Sequence, residues 1–223
     1  MTAYRPISLL TSFSKIFEKV IYNRLLLHTD ENKIIARNQY GFKNNSSTEL
    51  AMYTLLNHIL LNINSKALGC GIFCDLTKAF DTVNHGILMS KLEYYGVGGK
   101  MSNLIRSYLS NRYQRVAIKS LHNATCTSAR ELVKHGVSQG SIFGPLLFLF
   151  YINDLPQLVE DIAFPVLYDD DTSFLISNDT LEGMNQDVKQ VLHKTHKWFR
   201  TNVMLLNCEK APWYDNHRDL AIT

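Results

Sequence analysis

Cysteine is scarce. The chain has four in 223 residues, Cys70, Cys74, Cys126 and Cys208. Their spacing matches no zinc pattern, and no secretory leader accompanies them. Free thiols in a reducing compartment are expected, not a disulfide framework. Long apolar runs are missing too. The longest, Pro145 to Ile152, falls far short of the ~18 residues a membrane span needs, so no membrane partner is expected. The N-terminus lacks the charged-then-apolar layout of a targeting peptide. There is no internal repeat and no low-complexity tract. No strong excess of one charge exists either: the net charge is +3. That balance allows a polyanionic partner without demanding one. The glycine-rich stretch around Gly140 matches neither the P-loop spacing nor the dinucleotide fingerprint, so an ATPase or a dehydrogenase finds no support.

What the chain does have is core-forming content. It is 46% hydrophobic and 19% charged, enough for one large domain or two small ones. The most unusual stretch is Leu167-Tyr168-Asp169-Asp170-Asp171-Thr172. An apolar strand from Ala163 to Tyr168 runs into three aspartates and re-emerges as Ser173 to Ile176. This pattern predicts a hairpin with an acidic tip. Three carboxylates at one tip repel one another unless a cation sits between them, and hard divalent cations take carboxylate oxygens. The alternative is a solvated acidic turn, because Asp favours turns.

Two further stretches stand out. Cys70-Gly71-Ile72-Phe73-Cys74 is short and continuously apolar, which predicts a buried strand delivering Asp75 at its end. Asp81 follows six positions later. A carboxylate where a buried strand emerges is a common site position, although a turn-capping Asp would look the same. His135-Gly136-Val137-Ser138-Gln139-Gly140-Ser141-Ile142-Phe143-Gly144-Pro145 packs three glycines into nine residues, marking a backbone that something approaches closely. It feeds a helix from Leu146 to Ile152, a layout that suits an anionic ligand.

The rest supplies framework. A first helix, capped by Thr11 or Ser12, should present Phe13, Phe17, Val20, Arg24 and Leu27 as its stripe. Ser46 to Glu49 reads as a capping box opening a deeply packed helix that runs to about Asn64. A helix from about Asn84 stops at Gly96. A short helix from Met101 to Leu109 precedes two strands, Tyr113–Ile118 and part of 130–137, with a polar loop 121–128 between them. Arg106, Arg112, Arg115 and Lys119 make this the most basic zone, by default a solvated face. Asp179 to Glu182 reads as another capping box, followed by the stripe Leu181, Met184, Val188, Val191, Thr195 and Trp198. A strand-like segment 202–210 ends at Lys210, and 211–223 reads as a frayed or truncated tail.

Taken in order, several of these stretches resemble the reverse transcriptase domain of a non-LTR (LINE-type, jockey-like) retrotransposon. They are Tyr4-Arg5-Pro6-Ile7-Ser8-Leu9-Leu10; Gln39-Tyr40-Gly41-Phe42-Lys43 with Ser47-Thr48; Asp75-Leu76-Thr77-Lys78-Ala79-Phe80-Asp81; Gly136 to Ser141 with Gly144-Pro145-Leu146-Leu147-Phe148; Tyr168 to Asp171; and Trp198-Phe199 with Asn202, Leu206-Asn207 and Lys210. Several motifs in one order are far more specific than any single one.

The resemblance implies an α+β fold: a polymerase palm, an antiparallel sheet backed by helices, at 69–210. Partial fingers would occupy 1–68, with a truncated or disordered tail at 211–223 and the thumb absent. It implies RNA-directed DNA polymerase activity on an RNA template, a DNA primer and dNTPs. It also implies two Mg²⁺ ions, with Mn²⁺ as an alternative, held by Asp75, Asp170, Asp171 and the backbone carbonyl of Leu76, one activating the primer 3′-hydroxyl and the other steadying the triphosphate. Phe80 would lie under the incoming sugar and select deoxynucleotides. Gln139 and Gly140 would touch the nascent base pair, and Lys43 the triphosphate. Lys210 would protonate pyrophosphate. Such a product would work in the nucleus, the cytoplasm or both, and the oligomeric state is left unassigned.

The chain departs from the family's wording at the tip, where Asp169 replaces Ala, and before Gln139, where Ser138 replaces Pro. Phe143 stands where Leu is usual. A second reading is therefore a catalytically inactive remnant that keeps the fold and nucleic-acid binding. An intron-encoded maturase ranks third.

Overall fold

In the computed structural model, residues 7–119 and 125–207 are described. The N-terminal half opens with helices α1 (Ser12–Glu31) and α2 (Thr48–Asn64), then strand β1 (Leu68–Asp75). Helices α3 (Ala79–Thr82), α4 (His85–Tyr94) and α5 (Gly99–Leu109) follow. Four short strands come next: β2 (Tyr113–Gln114), β3 (Ala117–Lys119), β4 (Thr125–Thr127) and β5 (Glu131–Leu132). Helix α6 (Gly144–Ile152), strands β6 (Phe164–Tyr168) and β7 (Asp171–Asn178), and helix α7 (Leu181–Thr201) complete the order. This mixture of helices and antiparallel sheet is the α+β class expected.

Two compact units form, and each draws on two stretches of chain. The first combines residues 1–25 with 80–151, the second 26–79 with 152–223.

The first unit is built around α6. Its sequence is apolar on every side, and a helix of that kind must be enclosed. Leu147, Phe148, Phe150 and Tyr151 are all fully buried, with Leu88 and Leu92 of α4 and Ile105 of α5. Each such side chain contributes roughly 1.5–3 kcal/mol on leaving water. Helix α4 starts where Asn84 caps it, its side chain accepting from the Gly86 and Ile87 amides at 2.9 and 3.1 Å. Gly96, at φ +82, closes it. The strands differ from expectation. The single strand expected over 113–118 is split in two, and the loop expected at 121–128 contains β4. Strand β2 pairs with β5 and β3 with β4, all antiparallel, so the described residues of 112–119 and 125–133 form one interrupted ribbon.

The second unit is built on a three-stranded antiparallel sheet in the order β1-β7-β6. Central β7 pairs with β1 from Leu68↔Asn178 to Asp75↔Asp171, and with β6 from Phe164↔Leu175 to Tyr168↔Asp171. The outer edge of β6 is covered by 38–40 in parallel: the Tyr40 amide donates to the Leu167 carbonyl and the Leu167 amide to the Asn38 carbonyl, both at 2.8 Å. Covering an edge removes a row of unpaired backbone groups. Helices α2 and α7 pack on the sheet. The α7 stripe Met184, Val188, Val191, Thr195 and Trp198 is buried as expected, whereas Leu181 is exposed.

Several local expectations need correction. Glu18, Ile21, Leu25 and Thr29 are the buried stripe of α1, while Phe13, Phe17, Val20 and Leu27 are exposed. Apolar side chains lie on two faces of that helix, and its neighbours cover only one. Helix α2 is not deeply packed: Ala51 is its one buried residue, and Tyr53, Leu56, Leu60 and Ile63 are exposed. Its cap is Ser47, one residue later than expected, accepting from the Leu50 amide at 3.2 Å. Likewise Thr180, not Asp179, caps α7 by accepting from the Gly183 amide at 3.1 Å. Strand β1 is apolar on both faces but covered on one: Ile72 and Cys74 are buried, and Phe73 is 53% exposed. The strand expected over 202–210 is reduced, among the described residues, to one bridge, Leu76↔Leu206. Cys70, Cys74 and Cys126 are not joined in disulfides.

Candidate active site

The acidic tip is a two-residue hairpin loop. Tyr168 pairs with Asp171, so Asp169 and Asp170 form the turn. Asp169 has φ +54, the left-handed region that Asp tolerates better than most residues. A two-residue loop must twist with its strands, which is why positive φ is needed there.

Strand β1 ends beside this turn. Asp75 lies opposite Asp171 in the β1–β7 register, which places their Cα atoms about 4.5–5.5 Å apart. Cross-strand partners share a face, and Phe73, two residues before Asp75, marks that face as the open one. Asp75, Asp169 and Asp170 are half-buried and Asp171 is exposed. Sequence spacing alone could not bring Asp75 to the hairpin; the strand register does.

Electrostatics at the tip follow from crowding. The Asp169 carboxyl is pushed up to about 6, first by burial and then by the charges of Asp170 and Asp171. Like charges and a lowered dielectric both disfavour its ionised form.

Two elements support the acidic group, and both escaped the reading of candidate site residues. Asn207 donates its side-chain N–H to the Asp75 Oδ2 at 2.9 Å and its backbone N–H to the Asp75 carbonyl at 2.9 Å. The Thr77 amide donates to the Leu205 carbonyl at 2.8 Å, so the two bridge bonds flank Leu76 and neither uses its carbonyl. Gly41 abuts the turn on another side. An added Cβ there would collide with the amide nitrogen and Oδ1 of Asp169, so only glycine allows this approach. The Gly41 amide donates to Gln39 Oε1 at 2.7 Å, and buried Gln39 anchors the segment. The signal was present in Gln39-Tyr40-Gly41, but contact with the tip is a tertiary fact.

The donor set is all oxygen, which suits a hard cation. Among the described residues no group of three or more His, Cys, Asp or Glu side chains gathers as a ligand cluster. Two neighbouring carboxylates fit Mg²⁺, which keeps several waters and is bound through one or two carboxylates plus substrate phosphates.

The first unit holds Phe80, Gln139 and Gly140. The Phe80 ring stacks on Phe148 at 4.7 Å between centroids and is half-buried. Gln139 accepts from the Ser8 amide at 2.8 Å through its carbonyl, and its side chain donates to Asp81 Oδ1 at 3.5 Å. Gly140 is exposed at φ +90. Gly136, at φ +87, lets its loop rest on the backbone of Phe80 and Asp81, 2.9 Å from where a Cβ would stand. Ser138 is held through its side chain: Arg112 donates to its hydroxyl at 2.7 Å. Its carbonyl accepts from the Ser141 hydroxyl at 2.8 Å. Buried Glu18 secures the other end of the loop. It accepts from the Ile142 amide at 2.8 Å and from the Tyr108 hydroxyl at 2.6 Å. Burial, then that bond and the Glu18 charge, push the Tyr108 phenol up to about 12. The sequence alone gave no sign of a role for Glu18.

In the second unit, Lys43 donates to the Ala36 carbonyl at 3.5 Å. Lys210 lies outside the described residues.

Comparisons with known proteins point the same way. A family model described as reverse transcriptase (RNA-dependent DNA polymerase) matches residues 1–218. The chain is 32% identical over 221 residues to the probable RNA-directed DNA polymerase from transposon BS of Drosophila melanogaster. It is 28% identical over 215 residues to the RNA-directed DNA polymerase from mobile element jockey of the same species. In both cases 94% of this chain is covered and 23% of the relative, so the chain spans about a quarter of their length. Among solved structures, a telomerase from Candida tropicalis, in complex with a TWJ fragment of telomeric RNA, matches with a TM-score of 0.58 at 14% identity. The match covers 90% of this chain and 33% of that one, and shows likeness of fold.

Proposed function

We propose that this chain, which belongs to the reverse transcriptase (RNA-dependent DNA polymerase) family in its LINE-type, jockey-like branch, carries the acidic centre of an RNA-directed DNA polymerase that adds dNTPs to a primer 3′-hydroxyl. The observation that carries this reading is the register of Asp75 with Asp171, with Asp170 in the turn beside them. In this reading 69–210 is the palm and 1–68 the fingers-like region. Asp75, Asp170, Asp171 and the Leu76 carbonyl would hold two Mg²⁺ ions. Bound there, the ions would supply charge neutralisation at the triphosphate and a lowered pKa for the attacking hydroxyl.

The protein's own part is positioning. The strand register holds two carboxylates at fixed separation, and Asn207 occupies one oxygen of Asp75. Gly41 seats its segment against the tip. Phe80 excludes a ribose 2′-hydroxyl, Gln139 and Gly140 meet the nascent pair, Lys43 pairs with the triphosphate, and Lys210 acts as general acid to pyrophosphate. The description of the matching family, RNA-dependent DNA polymerase, supports an RNA template as partner.

The test is primer extension on an RNA template with Mg²⁺, alongside Mn²⁺ binding read by electron paramagnetic resonance. Asp75→Asn and Asp170→Asn should each abolish extension and weaken Mn²⁺ binding. Extension undiminished by Asp170→Asn would overturn the reading. One observation favours the inactive remnant instead: Asp169 adds a third carboxyl that is half-buried at the tip. Extension absent from the native chain and present in Asp169→Ala would select that reading.

A further inference from the structure

The structure assigns the ribbon of the first unit formed by residues 112–119 and 125–134 as a docking surface for single-stranded RNA. Three observations meet there. The first is charge. Residues 112–134 hold five Lys or Arg and one acid, net +4, whereas the whole chain is +3. All other residues together therefore carry a net −1, so the net positive charge of the chain comes from this stretch. The second is geometry. Among the described residues, strands β2 and β5, then β3 and β4, pair only with each other. The Val116 carbonyl accepts from the Ser128 amide at 2.9 Å and joins the two pairs. A seven-residue strand path from 113 to 119 is roughly 20 Å long. The third is what the ribbon shows to solvent. Tyr113 and Ile118 are each 66% exposed and Val116 is 53% exposed. Arg115, Arg130 and Lys134 are exposed as well, and no described acid forms an ion pair with them.

A two-stranded ribbon without a covered face is marginal in water, so exposed apolar side chains on it imply a partner. A neutral apolar partner would leave the cations without a counter-charge, and a folded duplex would hide its bases from Tyr113. A single strand offers both a phosphate backbone and unstacked bases. Basic side chains interleaved with an aromatic and apolar platform suit that combination. Arg112 is not counted among the free cations, because it holds Ser138 and lies 4.9 Å from the Tyr108 ring centroid. The ribbon is thereby rooted in the loop that carries Gln139. The inference rests on the proposed function only for the choice of RNA.

Fluorescence anisotropy of a labelled, unstructured 20-mer RNA tests it on the full chain without primer or dNTP. The triple variant Arg115→Gln/Arg130→Gln/Lys134→Gln should lower the magnitude of the log–log salt slope by about 2, at ~0.7 per phosphate contact for single strands. By the same relation it should weaken binding on the order of 100-fold at 0.1 M salt. Tyr113→Ala should weaken binding at least several-fold with the slope unchanged, as loss of a stacking platform does. A control triple at exposed lysines of the second unit, Lys33→Gln/Lys66→Gln/Lys189→Gln, should change neither quantity. Circular dichroism verifies that all variants fold. Equal losses in both triples, no loss in either, or tighter binding of duplex than of single strand would each overturn the proposal. Asp170→Asn separates the two readings. Binding kept while native extension fails sinks the polymerase assignment alone, and ribbon variants that bind normally sink the docking surface alone.

Discussion

Replacing Gly41 by Ala probes whether the segment before α2 is seated on the acidic turn. An added Cβ would overlap the amide nitrogen and Oδ1 of Asp169 and stand 3.0 Å from its Cα. A side-chain tip could swing away, but a backbone amide cannot, so either the turn or the 38–41 segment must move. That segment is tied by two 2.8 Å bonds to Leu167. Overpacking of this kind costs about 1–3 kcal/mol, and losing one backbone bond adds about 0.5–1.5 kcal/mol. A destabilisation of about 2–4 kcal/mol follows, which at this chain length lowers the thermal midpoint by roughly 4–16 °C. Circular dichroism melts measure it. Gly69→Ala is the control: its nearest neighbour is Asn62 Nδ2 at 4.0 Å, so its effect should stay within about 0.5 kcal/mol. Adding Asp169→Gly to Gly41→Ala should restore only part of the loss, because it removes the carboxyl and leaves the amide. A Gly41→Ala midpoint equal to that of the native chain would refute the close approach, and with it the role of Gln39-Tyr40-Gly41 in holding the tip.

Two further outcomes follow from the site. With a folded pKa of about 6 against 3.8 unfolded, Asp169 holds its proton longer in the native state. Stability should therefore fall as pH rises from about 4 to about 6 and then level off; Asp169→Asn should flatten that window in denaturant titrations, and a window unchanged in the variant would reject Asp169 as its source. Asn207→Ala should slow primer extension by on the order of 10- to 100-fold, since a bond to a charged group is worth about 1.5–3 kcal/mol, while the Asn207–Asp75 backbone bond keeps the fold. A native rate in Asn207→Ala would show that Asp75 needs no such support.

Most of the architecture was legible because its signals are local. The apolar run into three aspartates specified a hairpin, and Gly96 specified a helix end. The continuous apolar stretch 146–152 specified an enclosed helix. Motif order specified the family. What misled were the helices with apolar residues on more than one face. The periodicity of α1 and α2 marks several possible contact faces, and only the neighbours decide which is covered, so Phe13 and Leu60 stand in solvent despite their spacing. The cap positions shifted by one residue because adjacent side chains, Ser46 and Ser47, Asp179 and Thr180, offer equivalent oxygen acceptors, and backbone geometry chooses between them.

The chemical character of this protein was settled by its residues in order: the carboxylates, the glycines that let chain segments touch, and a stretch that carries its net positive charge. Their convergence was settled elsewhere. Asp75 reaches Asp171 across ninety-six positions through antiparallel register, Asn207 reaches Asp75 through a bridge, Gly41 reaches the Asp169 turn beside an edge pairing, and Glu18 of α1 reaches Ile142 in the loop before α6. Each of these contacts depends on backbone pairing and exclusion of volume between segments far apart in the chain, and no local pattern encodes the distance between them.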